Sequence, residues 1–332
     1  MKDPMICAEM EKVPTDPLYI SIFSFYTLSF TLSLFITPVV WYRFCRRTAF
    51  HINVKILISV LFIFGIISSA FGLINYLFHM YHFVFPSNPC SRIFYASECA
   101  WSFYSLTCCI FGFMLAQASL TIERLIATYR LRTYEKGHQY LGPIMATIVV
   151  VSAICCVVWG LAEMDPKELQ YQCGGVPVST KSRVVSMYKI MLLVDVLAIM
   201  AFGLCYCYNR RTLKCGRYEL SVRYQVYENL RAIRIFVPVV TAHFIIFGLF
   251  LMGSIIIREF RASLTPKAYG IGLLALYIIP FYILTMCTLL FVILRKESNR
   301  VTSFQAAIAE KQNEKEQQAE TYFRSLRHQW GT

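Results

Sequence analysis

Ionisable side chains are rare inside the long apolar runs of this 332-residue chain, so the few that lie there are the first candidates for chemistry. Glu123 and Arg124 stand side by side in SLTIERLIATYR, Ser119 to Arg130, where one such run ends. An arginine there can bond a neighbouring acid in a resting state and turn to another partner when helices separate, so the pair is a switch candidate. The plainer account is interfacial anchoring, with Arg124 snorkelling to lipid phosphates. Asp195 lies about two turns inside another run. An acid there costs about 2.5 to 3.5 kcal/mol on insertion scales and should face a protein interior. It is either bonded to neighbouring hydroxyls or a pocket acid that selects a cationic or hydrogen-bonding ligand. His243, alone among apolar residues, reads as a packing group. No Cys-x-x-Cys or His-x-x-x-His grouping and no converging acid pair or Ser-His set is apparent, so the sequence offers no metal site, cofactor or catalytic centre.

The elements that position these residues follow from composition. The chain is 57% hydrophobic and 15% charged, against roughly 25% charged in an ordinary soluble domain. A hydrocarbon core about 30 Å thick takes about 20 helical residues to cross. Seven apolar runs of that size appear, at about Leu18 to Tyr42, Val54 to Phe78, Glu98 to Ile122, Leu141 to Leu161, Tyr188 to Tyr208, Ile233 to Ile257 and Ala268 to Leu294. They lack the period-two alternation of a membrane barrel, which leaves helices as the way to satisfy the backbone in lipid. The expected fold is all-α, a seven-transmembrane helix bundle, with an N-terminal segment 1–17, a membrane domain 18–294 and a tail 295–332.

The net charge of +13 suggests nucleic acid until it is placed on that topology. The loops after spans one, three and five hold 15 Lys and Arg residues and the alternate loops 8, Arg258 among them. The positive-inside rule then predicts an extracellular N-terminus and a cytoplasmic C-terminus, with membrane lipid rather than nucleic acid as the polyanion nearby. Residues 1–17 carry four acids and no apolar core, so no cleavable signal peptide is expected. The fifth loop is helix-compatible from Glu219 to Arg231, with Val222, Val226, Leu230 and Ile233 in one stripe. Its other face carries Arg223 and Arg231, a basic surface for a cytoplasmic protein. In the tail, Val301, Phe304 and Ile308 suggest a short helix on the inner membrane surface.

Of the 13 cysteines, Cys7, Cys90, Cys99 and Cys173 fall on the oxidising side of this topology. A bridge from Cys99, which begins span three, to Cys173, in the long loop after span four, would pin that loop across the bundle mouth. Cys90 with Cys173 is the alternative pairing, because Asn88-Pro89-Cys90 reads as a fixed turn. A ligand entering from outside would meet Glu98, Trp101, Tyr104, Tyr188, Asp195 and Tyr277, with Tyr76, His79 and Trp159 at similar depth. Most of these aromatics are equally expected as packing or interfacial-belt residues.

Three segments resemble one family: Asn88-Pro89-Cys90 followed by Glu98-Cys99, IERLIAT from Ile122 to Thr128, and LSVRYQVYEN from Leu220 to Asn229. Over nearly its whole length the chain looks like a nematode serpentine chemoreceptor, class ab more than its sibling class a. That resemblance implies a plasma-membrane receptor of chemosensory neurons, sited in sensory cilia, that detects a small external molecule and signals through a heterotrimeric G protein. Glu123 and Arg124 would be its acid-Arg motif, although Leu125 stands where a Tyr is usual. A Cys-Trp-x-Pro in span six and an Asn-Pro-x-x-Tyr in span seven are missing, and Ile279-Pro280-Phe281-Tyr282 is the nearest approach to the latter. The rival readings are a ligand-gated channel and a small-molecule transporter. A transporter usually places several ionisable residues at mid-membrane or repeats its halves, and neither is apparent. A seven-span channel of insect odorant type would place its N-terminus inside, against the basic-loop count.

Overall fold

The computed structural model describes residues 15–48, 50–85, 93–130, 140–170, 172–174, 176–215 and 220–330. Its long elements are helices α1 (Pro17–Arg47), α2 (Ile52–Val84), α3 (Ala96–Tyr129), α4 (Leu141–Leu161), α5 (Lys181–Cys215), α6 (Leu220–Glu259), α7 (Pro266–Leu276) and α8 (Ile279–Trp330). Among the described residues seven stretches are long and apolar enough to cross a membrane, the seventh being Lys267–Lys296, which joins α7 to the first part of α8. The chain is an all-α seven-helix bundle. Two-residue strands β1 (Phe94–Tyr95) and β2 (Leu169–Gln170) add a small antiparallel ribbon, with Phe94 opposite Gln170 and Tyr95 opposite Leu169.

Local sequence explains where several helices start. The Asp16 side chain accepts from the Leu18 backbone N–H at 2.8 Å, and Pro17 fills the first helical position, where its missing N–H costs nothing. Lys267 binds the other side of the same carboxyl, tying the start of α1 to α7 and holding Asp16 below the ordinary carboxylate range. At α3, Glu98 reaches back to the Tyr95 N–H at 2.7 Å in a capping box.

Several helices run past the apolar runs that announce them. The third run ends at Ile122, yet α3 continues to Tyr129 because Glu123 and Arg124 are buried against protein rather than exposed at a membrane edge. The seventh span breaks after Leu276, because Pro280 has no N–H to donate to the Leu276 carbonyl four residues back and its ring would crowd that oxygen, which accepts from the Ile278 N–H at 2.7 Å instead. The Ala275 carbonyl near the break accepts from the Tyr26 hydroxyl at 3.0 Å. Past the membrane, α8 runs without interruption to Trp330, where the sequence suggests a separate short helix on the membrane surface. Continuity has a local cause: residues 295 to 330 contain neither Gly before Gly331 nor any Pro, so nothing in the backbone stops propagation.

α3 is the centre of the bundle. It packs against α2, α4, α5 and α6, and 67% of its most apolar window is buried, against 33% for α1 and 28% for α5. Large apolar side chains such as Phe35 and Leu204 face outward, as a lipid-facing surface requires. Two helices come close where α4 begins: the Gly142 N–H donates to Asn53 Oδ1 at 3.0 Å, and a Cβ on Gly142 would lie 2.6 Å from the Asn53 Cα.

A disulfide joins Cys99 at the start of α3 to Cys173 in the loop after β2. Cys173 is thereby committed, which removes the alternative pairing with Cys90; Cys90 itself lies outside the described residues. The bundle thus has a cystine end, where the ribbon and this loop lie, and an opposite end, where α3 terminates.

Candidate functional site

At the end opposite the cystine, α3, α5 and α6 meet in one buried polar network. Arg124 grips Glu123 bidentately, Nε to Oε2 at 2.5 Å and Nη2 to Oε1 at 2.6 Å. Both side chains are buried, Glu123 completely. A desolvated ion pair holds only when geometry and further hydrogen bonds satisfy it, and here the further bond crosses to α6, from Arg124 Nη1 to Asn229 Oδ1 at 3.0 Å. Asn229 Nδ2 donates to Thr128 Oγ1 at 2.8 Å and to Asn209 Oδ1, on α5, at 3.2 Å. Asn209 Nδ2 donates to the same Thr128 oxygen at 2.8 Å and to the Cys205 carbonyl at 2.8 Å. Thr128 in turn donates to the Arg124 carbonyl at 2.8 Å. A hydroxyl has one donor and two acceptor positions, and all three are engaged. The network is therefore a lock between three helices with Thr128 at its hub.

The sequence singles out Glu123 and Arg124 but not Thr128, Asn209 or Asn229. Two of the three stand inside the segments that carry the family resemblance, IERLIAT and LSVRYQVYEN, and each is a hydrogen-bonding residue within a helical run. That is the signal available beforehand; which polar residues converge is set by how the helices pack. Arg231 stays outside the lock, paired with Glu228 at 3.6 Å. It lines a groove of about 310 Å3 between α6 and α8 with Arg234, Lys296 and Pro238. The Arg223 side chain lies outside those described.

Near the cystine end the helices leave a small cavity, about 40 Å3, reached by side chains of α1, α2, α3, α5, α6 and α7 and roofed by Gln172, Gly174 and Val176 of the disulfide loop. Tyr188 and Tyr277 line it, as do Tyr76 and His79. His79 is fixed to the roof, its Nε2 accepting from the Cys173 N–H at 2.8 Å. The other expected pocket residues are elsewhere. Glu98 is spent on capping α3, Trp101 sits among Phe71 and Phe78, Tyr104 packs on the core, and Trp159 is half exposed beneath the Arg183 guanidinium. The cavity contains a cation that the sequence suggests is a loop residue: Arg258 lies inside α6, 3% exposed, and reaches the Val176 carbonyl at 3.4 Å.

Asp195 does not reach this cavity. It is buried at mid-helix on α5, with Oδ1 3.7 Å from Nε2 of His243 on α6. His243 stacks on Phe247 with centroids 4.4 Å apart and meets Tyr282 edge-on at 5.1 Å. Neither internal reading of the sequence anticipates this: Asp195 faces an imidazole rather than hydroxyls, and His243 has an acid beside it. Along α5 the pair lies between Tyr188 at the cavity and Cys205 at the lock. Among the described residues no group of three or more His, Cys, Asp or Glu side chains is placed to hold a metal.

Comparison with known proteins agrees with this architecture. The model of a family described as serpentine type seven-transmembrane G-protein-coupled receptor, class ab chemoreceptor, matches residues 5–331. The chain is 24% identical to serpentine receptor class beta-16 of Caenorhabditis elegans over 71% of its own length and 68% of that protein's. It is 26% identical to serpentine receptor class alpha-10 of Caenorhabditis briggsae over 86% and 85% of the two chains. With serpentine receptor class alpha/beta-14 of Caenorhabditis elegans it shares 27% identity over 62% and 55%.

Proposed function

The chain belongs to the class ab family of serpentine seven-transmembrane chemoreceptors, and from that premise we propose that it is a plasma-membrane receptor that admits a small external molecule at its cystine end and signals through a heterotrimeric G protein at the other. The orientation is supported by two independent chemistries. Disulfides persist in oxidising compartments, and Arg43, Arg46, Arg210, Arg211, Lys214 and Arg234 gather at the opposite end, as cytoplasmic loops require.

The observation that carries the reading is the bond from Arg124 to Asn229. It joins the acid-Arg pair of the central helix to α6, whose N-terminal extension offers the basic surface a cytoplasmic partner would meet. While the lock is closed, α6 is held against α3 and α5. Opening it frees the Arg124 guanidinium and separates the helix ends, which is a discrete two-state rearrangement. A ligand in the cavity acts on the same three helices from the other end, since Thr107, Tyr188 and Ser254 stand on α3, α5 and α6.

The test needs no ligand. Guanine-nucleotide exchange on co-expressed heterotrimers of each class is measured in membranes carrying equal amounts of wild type, Asn229→Ala and Arg124→Ala. Asn229→Ala is expected to raise exchange above wild type, and Arg124→Ala to hold it at background. Unchanged exchange in both variants on every heterotrimer sinks the reading. A membrane current from the same cells that is indifferent to G proteins would put a channel in its place.

A further inference from the structure

We propose that the cavity at the cystine end takes the anionic group of its ligand, a carboxylate or an equivalent oxyanion, against Arg258; the inference rests on the receptor reading and names the ligand class of that same site. One of the two sequence readings of Asp195 makes it a pocket acid that selects a cationic or hydrogen-bonding ligand. The structure removes that acid from the cavity and puts a base in it.

Three observations support the assignment. Arg258 is buried and lines the cavity, yet among the described residues no carboxylate lies within ion-pair distance of it, and its Nε has no hydrogen-bond partner. The neighbouring acid, Glu259, is taken by Lys181 at 3.4 Å and Lys189 at 3.5 Å, both on α5. The residues lining the cavity include no Asp or Glu, and its polar groups, Asn75, Gln172, Thr107 and Ser254 among them, suit an oxyanion as donors.

A guanidinium desolvated without a counter-charge is costly, and buried charges are found paired or serving a function. Arg258 keeps one weak substitute, the neutral carbonyl of Val176, at 3.4 Å against the 2.7 to 2.9 Å of a charge-assisted bond. A carboxylate would outcompete that carbonyl, and a planar guanidinium can take both its oxygens at once. Because Val176 belongs to the roof, the exchange also releases the loop from α6. The present space of about 40 Å3 admits a headgroup of a few atoms, so the remainder of a ligand must enter as that loop moves.

The test uses the full chain in nanodiscs of zwitterionic lipid and reads thermal unfolding, with no G protein present. The probes are small aliphatic and aromatic carboxylic acids, each matched with the amide and the amine of the same skeleton. Acids are expected to raise the unfolding temperature where their amides and amines do not. Arg258→Gln should weaken the best acid about 30-fold or more, the scale for truncating one partner of a buried charge pair. Arg258→Lys should recover part of the response, because an ammonium keeps the charge without the fork. Arg258→Gln should unfold no earlier than wild type when no acid is added, which a merely structural arginine would not allow. A second preparation in nanodiscs containing anionic lipid separates the sources: stabilisation by that lipid alone, dependent on Arg258, assigns the anion to a headgroup. Preference for amides or amines, an acid response that survives Arg258→Gln, or no response to any acid or anionic lipid overturns the proposal. Should the glutamine variant not fold, the contrast between acid and amide on wild type decides. An acid response without nucleotide exchange in cells keeps this inference and removes the G protein; exchange driven by neutral compounds does the reverse.

Discussion

At the scale of single residues, the chemistry lies in hydrogen bonds that cross between helices rather than in the charges themselves. Glu123 and Arg124 satisfy one another within one helix, and it is Thr128, Asn209 and Asn229 that convert the pair into a three-helix contact. Thr128 is the sharpest probe because valine keeps its shape and removes only the hydroxyl. Thr128→Val leaves two buried amide donors, those of Asn209 and Asn229, without their shared acceptor, a penalty of about 1 to 3 kcal/mol per group. We expect a lower unfolding temperature together with raised ligand-free nucleotide exchange, and near wild-type values for Thr128→Ser. Lower stability with unchanged exchange would make the network structural only.

At the scale of elements, helices are fixed at their ends and where backbones touch. Gly142 opens α4 against Asn53 of α2, and the space there is filled by backbone, which cannot swing aside. Gly142→Ala forces the two helices apart and is expected to destabilise by about 1 to 3 kcal/mol, the ordinary cost of overpacking. Thermal unfolding of the purified variant checks this; an unchanged midpoint would show that α4 can slide at no cost. Pro238 in α6 lies between Asn229 of the lock and His243 of the mid-membrane pair. It removes one backbone hydrogen bond from a helix of 40 residues and makes that turn the place where α6 can bend.

At the scale of the whole molecule, the disulfide between Cys99 and Cys173 is a long-range tie. Cys99 and Cys173 are 74 residues apart in sequence, and their bridge holds the cavity roof to the central helix. Replacing both cysteines with serine is expected to cost about 2 to 5 kcal/mol and to abolish stabilisation by acids, since Val176 and Gly174 then lose their anchor. Among the described residues the lock draws its partners from α3, α5 and α6 and none from this loop, so Asn229→Ala in the same background should still raise exchange. Loss of that effect would mean that the two ends fold as one unit and do not report separately.

The sequence by itself determined the number of spans, the all-helical class and the family, because lipid imposes a long apolar run on every crossing and the motifs are contiguous in the chain. It marked Glu123 and Arg124 for a like reason: an acid and a base at the end of an apolar run are visible locally. It could not weigh Arg258, which ends an apolar run and so looks like a loop cation, nor pair Asp195 with His243, 48 positions away. Neither could it tell that Glu98 caps a helix while Tyr188 and Tyr277 face a cavity. Those outcomes depend on the rotation of each helix about its own axis and on which neighbours it meets. Both are settled by packing between helices far apart in the chain, and that the tertiary structure alone decided.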